Sequence, residues 1–280
     1  MTVIDLHCHT TASDGTLSPQ DLVARAVRDG VDVIAVTDHD TTDGIADAVA
    51  AGGELGVRVV AGIELSARNT ERNVHVLGYF LDPTSLELRA ALVELRKSRE
   101  ERARRIVERL QSLGYPLTLA DVEAQAGAGR VLARPHVARA LVARGHVSSV
   151  KEAFGPELLA DGGRADVPKV TLTPAEAVRL IRTAGGAPVI AHAAVGHHDG
   201  RARGVPVELI DELCAAGLAG IEVDHPDHPP LICDELRAIA DERGLVVTGG
   251  SDFHGDEGHV LGGYRTSPDM LDRLEAESPT

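Results

Sequence analysis

The chain has 280 residues, 43% of them apolar, enough for one large domain or one domain carrying a smaller insertion. Its formal net charge is −15, with 28 Lys and Arg against 43 Asp and Glu, which argues against a broad basic surface for long duplex nucleic acid or anionic membrane. Three Phe, three Tyr and no Trp argue against a base-stacking platform, whereas thirteen His point toward metal or acid–base chemistry.

Short β-branched runs alternate with helical patterns. The first strand is expected at Thr2–Leu6. Ser18-Pro19-Gln20-Asp21 then opens a helix, with a hydroxyl at the N-cap, Pro at N1 and an acid at N3. Strands follow at Val31–Thr37, Val57–Ile63 and Val74–Leu81. From about Pro83 to Pro168 the pattern becomes almost wholly helical. Ser85–Leu113 reads as one long helix, and shorter ones are expected at Leu119–Gln125, Pro135–Arg144 and Val147–Phe154. Thr173-Pro174-Ala175-Glu176 repeats the earlier helix start, and strands at Ala187–Ala191, Ala219–Val223 and Leu245–Thr248 complete the series. This order predicts an α/β fold with a largely parallel sheet, open or closed into a barrel. The expected catalytic domain is 1–82 with 170–280, and 83–169 is a helical insertion acting as a lid or recognition subdomain.

The three cysteines, Cys8, Cys214 and Cys233, are too scattered for a disulfide framework and suit a reducing cytosol. The first residues lack a basic then apolar leader, and no run of about 18 apolar residues exists, so a cytoplasmic location is expected.

Charged and imidazole residues recur where apolar strands stop. His7 and His9 are two apart at the end of the first strand, so both rings can converge while Cys8 points away. Asp14 lies in the polar stretch that follows. The next strand ends in Thr37-Asp38-His39-Asp40, and the third in Gly62-Ile63-Glu64. The fourth contains His75, a later one ends in Ala191-His192, and the last runs into Gly250-Ser251-Asp252-Phe253-His254. In α/β sheets and barrels, ligands bind at the carboxyl ends of strands. Imidazole with carboxylate suits Zn, Mn, Fe or Co. Nine candidate ligands are too many for one ion of four to six ligands and suit two or three, especially if Glu64 bridges. Such centres typically hydrolyse phosphoesters.

The segments DLHCHTTASDG (5–15), VTDHD (36–40), GIELS (62–66), HVLGY (75–79), AH (191–192) and GSDFHG (250–255) resemble the PHP (polymerase and histidinol phosphatase) superfamily. The match is closest to its stand-alone metal-dependent phosphoesterases, and ARPHVARAL (133–141) resembles a segment of that branch's helical insertion. The resemblance implies a distorted (β/α)7 barrel and three divalent ions, manganese first, with zinc or iron as alternatives. By motif, His7, His9, Glu64 and Asp252 would hold the first ion. Glu64 would bridge to a second, completed by His75 and His192, and Asp14, His39 and His254 would hold the third. Catalysis is expected to rest on His7, His9, Glu64, Asp252 and His254. Where the branch has a Pro-Gly-Arg-like stretch after the AH motif, this chain has Ala193-Ala194-Val195-Gly196-His197-His198, which leaves the local substrate contacts open.

Arg134, His136 and Lys169 are the candidates for gripping a phosphate, while Arg99, Arg102 and Arg105 read as solvated or paired charges. His225 and His228 suggest a site edge where one could protonate a leaving oxygen. Asp38 and Asp40 are expected to support His39, and His259 is read as a surface residue. The implied substrate is a small nucleotide, such as a nucleoside 3′,5′-bisphosphate or monophosphate, or a short RNA 5′ end. The rivals are a histidinol-phosphate-type phosphatase and a non-catalytic metal-binding scaffold.

Overall fold

A computed structural model describes residues 2–69, 72–127, 131–160, 162–168, 171–193, 205–255 and 258–278, and the backbone of 197–198 and 201–202. Seven strands form one sheet: β1 (Ile4–Cys8), β2 (Val33–Val36), β3 (Arg58–Arg68), β4 (Asn73–Tyr79), β5 (Ala187–Ile190), β8 (Gly220–Asp224) and β9 (Val246–Gly249), in that spatial order. Each overlaps a strand expected from the sequence. The small hairpin of β6 (His197–His198) and β7 (Arg201–Ala202) was not expected.

The sheet is largely parallel, as expected, with β4 as the exception. β4 runs antiparallel to both β3 and β5, while β1–β2, β2–β3, β5–β8 and β8–β9 are parallel. Only residues 69–72 separate β3 from β4, far short of the crossover a parallel pair requires, so the chain turns back on itself.

The sheet curls into a nearly closed barrel. Its first strand meets the segment after its last: His9 N–H donates to Phe253 O at 2.8 Å, and Phe253 N–H donates to His7 O at 3.1 Å. Leu6, Ala35, Val60, Leu77, Val189 and Val246, from strands at both ends of the sheet order, draw together in one apolar cluster. Along β2 the side chains alternate: Val33 and Ala35 join that cluster, while Ile34 and Val36 join Cys8 against Leu22, Val23 and Ala26 of α1 (Pro19–Asp29). Cys8 is thus a buried core residue. The two helix-start signals act as read. Ser18 Oγ accepts from Asp21 N–H, and Thr173 and Glu176 form a capping box at the start of α7 (Pro174–Thr183). The remaining barrel helices are α2 (Ile45–Leu55), α8 (Val207–Ala216), α9 (Pro230–Arg243) and α10 (Pro268–Ala276).

Residues 92–171 form a second unit, apart from 1–91 with 172–280. It contains most of α3 (Leu86–Ser112), then α4 (Leu119–Ala126), α5 (Arg134–Ala143) and α6 (Val150–Ala153). The division falls within α3, later than the boundary expected at 83. Ile106 and Leu110 of α3 pack with Leu117, Val137, Leu141 and Leu159 in a core of the unit's own. Among the described residues, no helix is long and apolar enough to cross a membrane.

Candidate metal centre

The parallel strands deliver their ligand candidates at their carboxyl ends: His7 and His9 from β1, His39 beyond β2, His192 beyond β5, and Asp252 and His254 beyond β9. Glu64 lies within β3. Because β4 runs the opposite way, its early residue His75 reaches the same end of the barrel. The backbone is strained there: Asp40, His192 and Asp252 have φ of 50°, 28° and 50°, a region that disfavours residues with a Cβ. Gly250 explains the first letter of the GSD motif, since a Cβ on it would lie 2.3 Å from His7 Cβ.

Glu64 sits at the centre. Its Oε2 faces His39 Nδ1 at 3.1 Å, His9 Nε2 at 3.2 Å and His7 Nε2 at 3.3 Å. Its Oε1 faces His75 Nδ1 at 2.7 Å and His192 Nε2 at 3.0 Å. Asp252 Oδ1 lies 3.3 Å from His7 Nε2 and 3.2 Å from His9 Nε2. Asp14 lies 3.3 Å from His254 Nε2 and 3.9 Å from both His9 Nδ1 and His39 Nε2. These atoms make three overlapping groups able to hold an ion: His7, His9, Glu64, Asp252; His39, Glu64, His75; and His9, Asp14, His39, His254. His9 and His39 each belong to two groups, with a different ring nitrogen facing each, a sharing that motif spacing alone does not reveal. His192 approaches Glu64 without joining a compact group.

The electrostatics fit cations. Burial alone would raise the Glu64 carboxyl, but His39, His75 and His7 hold it well below the usual range. Asp252 and Asp14 are likewise held low against their burial, by His7 and His254 and by His39 and His254 respectively. Burial would lower His9, yet Asp252 and Glu64 raise it to about 10. For His39 burial wins and lowers it to about 3. Both ring nitrogens of His9, and Nδ1 of His39, are buried without a hydrogen-bond partner. Such orphaned atoms are costly unless something accepts their lone pairs, which a divalent ion does.

Two carboxylates that sequence reasoning passed over support the cluster. Glu222 of β8, fully buried, accepts from His7 Nδ1 at 2.9 Å and from the His192 backbone N–H at 2.7 Å. Its only signal was an acid inside an otherwise apolar strand. Asp5 accepts from Ser251 N–H and Oγ–H and from Gly262 N–H, tying β1 to the segment after β9. Asp38 acts on the loop after β1, accepting from Thr10 N–H, Thr10 Oγ1 and Ser13 Oγ. Asp40 accepts from Ser66 N–H at 2.7 Å.

Of the expected substrate contacts, His225 is buried beside the centre, with Nε2 3.7 Å from Asp252 Oδ2 and Nδ1 accepting from Asp227 N–H. The His228 ring lies beside it, tilted by 47° with ring centroids 5.1 Å apart, and donates Nδ1–H to Val223 O. His259 is not a surface residue: it is half-buried, 5.9 Å from the His225 ring, with Nδ1 3.3 Å from Asp252 O. In the helical unit, Arg134 donates to Leu159 O at 3.0 Å and, with Arg99 and Arg102, lines a recess. His136 Nδ1 accepts from Ala133 N–H, closing the start of α5. Arg102 is a paired charge, bound to Val167 O and Asp166. Lys169 lies outside the described residues.

Comparison with known proteins bears on what such a centre does. The PHP domain matches residues 5–121. The chain is 34% identical over 264 residues to the 3′,5′-nucleoside bisphosphate phosphatase of Chromobacterium violaceum, covering 94% of this chain and 91% of that protein. It is 37% identical over 250 residues to a 5′-3′ exoribonuclease of Haemophilus influenzae, covering 89% of each. A crystal structure from Bifidobacterium adolescentis, assigned as a metal-dependent phosphoesterase, superposes with a TM-score of 0.93 at 35% identity over 100% of this chain and 97% of that one. By fold and site, this chain is of the metal-dependent phosphoesterase class. It belongs to the PHP domain family.

Proposed function

We propose that the protein hydrolyses phosphomonoesters of small nucleotides, a nucleoside 3′,5′-bisphosphate or monophosphate or a short RNA 5′ end, with three divalent ions, manganese first. The observation that carries the reading is the division of Glu64: one oxygen faces His7, His9 and His39 and the other faces His75 and His192, the arrangement of a bridging carboxylate. The third position is His9, Asp14, His39 and His254. Bound divalent ions supply a nucleophile from water near neutral pH and neutralise phosphoryl charge.

The chain's own residues do the rest. The carboxylates and imidazoles fix the ions, and Asp38 holds the turn that carries Asp14. His225 accepts from Asp227 N–H at Nδ1, which leaves Nε2 facing Asp252 as a hydrogen-bond donor, placed to donate to a leaving oxygen. His228 borders it. Arg134, His136 and Lys169 are assigned to substrate recognition, Arg134 because a guanidinium grips phosphate by two parallel hydrogen bonds. The overall charge of −15 disfavours long nucleic acid, while ions in one cleft would concentrate positive charge on one phosphate. The free cysteines suit a reducing cytoplasm.

Elemental analysis joined to a panel of nucleoside bisphosphates, nucleoside monophosphates, 5′-phosphorylated oligoribonucleotides and histidinol phosphate tests this reading. Turnover of nucleotides with metal in excess of one ion per chain is expected. Turnover of histidinol phosphate alone, or metal binding without turnover of any phosphoester, overturns it.

A further inference from the structure

We propose that Glu222 is a positioning residue that couples two metal positions, by fixing the proton of His7 and the backbone of His192 through one buried carboxylate. The proposal rests on the metal reading above and goes beyond its ligand set. Glu222 lies on β8 with none of its surface exposed. Its Oε1 is 2.9 Å from His7 Nδ1, and its Oε2 is 2.7 Å from the His192 backbone nitrogen.

Each contact has a separate consequence. An ionised carboxylate only accepts hydrogen bonds, so His7 Nδ1 carries a proton. That leaves the Nε2 lone pair directed at the point shared by Glu64 Oε2 and Asp252 Oδ1, each 3.3 Å away. A carboxylate behind a ligating imidazole sets its tautomer and raises its basicity. On the other side, His192 has a φ of 28°, strained for any residue with a Cβ, and its amide donates to Glu222. That conformation carries its ring to within 3.0 Å of Glu64 Oε1. One side chain therefore orients a ligand on each side of the bridging Glu64. A glutamate facing only apolar neighbours on β8 would serve no such purpose, and burying it unpaired would be costly.

The test is titration of metal-stripped protein with Mn²⁺, read by the free-ion signal, for the native chain, Glu222→Gln and Glu222→Asp. Gln keeps the volume, but its amide NH₂ must face one of the two N–H donors, so it cannot satisfy both. We expect Glu222→Gln to weaken binding on the order of 10–100-fold at more than one ion position. Glu222→Asp, which keeps the charge, is expected to recover part of that loss. Mn²⁺ affinity of folded Glu222→Gln within twofold of native, or loss confined to a single ion, would each overturn the proposal. Failure of the native chain to bind Mn²⁺ would instead overturn the metal reading beneath it.

Discussion

Glu64 and His75 meet diagonally across the β3–β4 ladder. Glu64 is paired with Leu77 and Ser66 with His75, and Glu64 Oε1 lies 2.7 Å from His75 Nδ1. Diagonal neighbours on one face of an antiparallel pair are within reach of long side chains. The hairpin thus supplies the proposed bridging carboxylate and one of the imidazoles that face it together, and the reversal of β4 brings His75 to the end where the parallel strands terminate.

Glu64→Ala should therefore remove more than one ion per chain, because its two oxygens serve different groups. Asp14→Ala, confined to the group with His9, His39 and His254, should remove one. Phosphoester hydrolysis by Glu64→Ala should fall more than ~100-fold, beyond what loss of an outer partner costs. Metal content by elemental analysis beside a steady-state assay checks both. Equal metal loss in the two variants would contradict the bridging role.

The metal-free protein should be most stable near pH 6.5 as far as His9 and His39 govern it. His9 is raised to about 10, so its contribution is complete below its ordinary value of 6.5 and is lost as pH climbs toward 10. His39 is lowered to about 3 by burial, so folding is disfavoured as pH drops from 6.5 toward 3, where the unfolded chain takes up a proton the folded one refuses. Because His9 must shed its proton to bind a cation, metal affinity should rise with pH between 6 and 9, by roughly tenfold per unit for each proton displaced. Calorimetry in buffers of different ionisation heat measures the protons released. Binding without proton release would remove His9 from the ligand set.

How far these features were legible depends on the range of the physics behind them. The caps at Ser18 and Thr173 are local, satisfied within three residues, and the structure forms them as read. The nine ligand candidates were visible because imidazole and carboxylate stand out where apolar strands stop. A largely parallel sheet was legible from the alternation of strand and helix, but the reversal of β4 was not singled out, since it follows from the shortness of 69–72 rather than from any residue pattern. Glu222 was missed because its meaning lies in His7 and His192, which are distant in sequence and adjacent only once β1, β5 and β8 enclose a common interior. The sharing of His9 and His39 between groups is a property of ring orientation, which no spacing encodes.

Gly250→Ala should disturb the centre without replacing a ligand. Its new Cβ would lie 2.3 Å from His7 Cβ and 2.7 Å from His7 N, in a place where backbone cannot yield cheaply. Overpacking of this kind costs about 1–3 kcal/mol, and the displaced His7 should weaken Mn²⁺ binding. Gly53→Ala is the control: it lies in α2, exposed, with nothing within 4 Å of the added Cβ. There the better helix propensity of Ala should stabilise by about 0.5–1 kcal/mol. Urea denaturation of the two variants beside the native chain decides the matter, and equal stabilities would contradict the close approach.

Asp5→Ala should loosen the closure of the barrel. The carboxylate accepts from Ser251 N–H at 2.9 Å, Ser251 Oγ–H at 2.6 Å, Gly262 N–H at 2.7 Å and His7 N–H at 3.3 Å, all in the interior. Removing it leaves these donors without an acceptor, at about 1–3 kcal/mol for each that finds no substitute. Some will relax toward one another, so a loss of about 2–4 kcal/mol is expected. Asp5→Asn should not rescue, since its NH₂ would face other donors. Ser251 immediately precedes Asp252, so the same substitution should lower metal affinity as well as the midpoint of unfolding. Denaturation of the stripped protein isolates the first effect and metal titration the second. A stripped Asp5→Ala as stable as the native chain would show that the Ser251 and Gly262 donors find other acceptors, and that backbone hydrogen bonds such as those of His9 and His7 with Phe253 and of Thr266 with Ile4 suffice to hold β1 to the last segment.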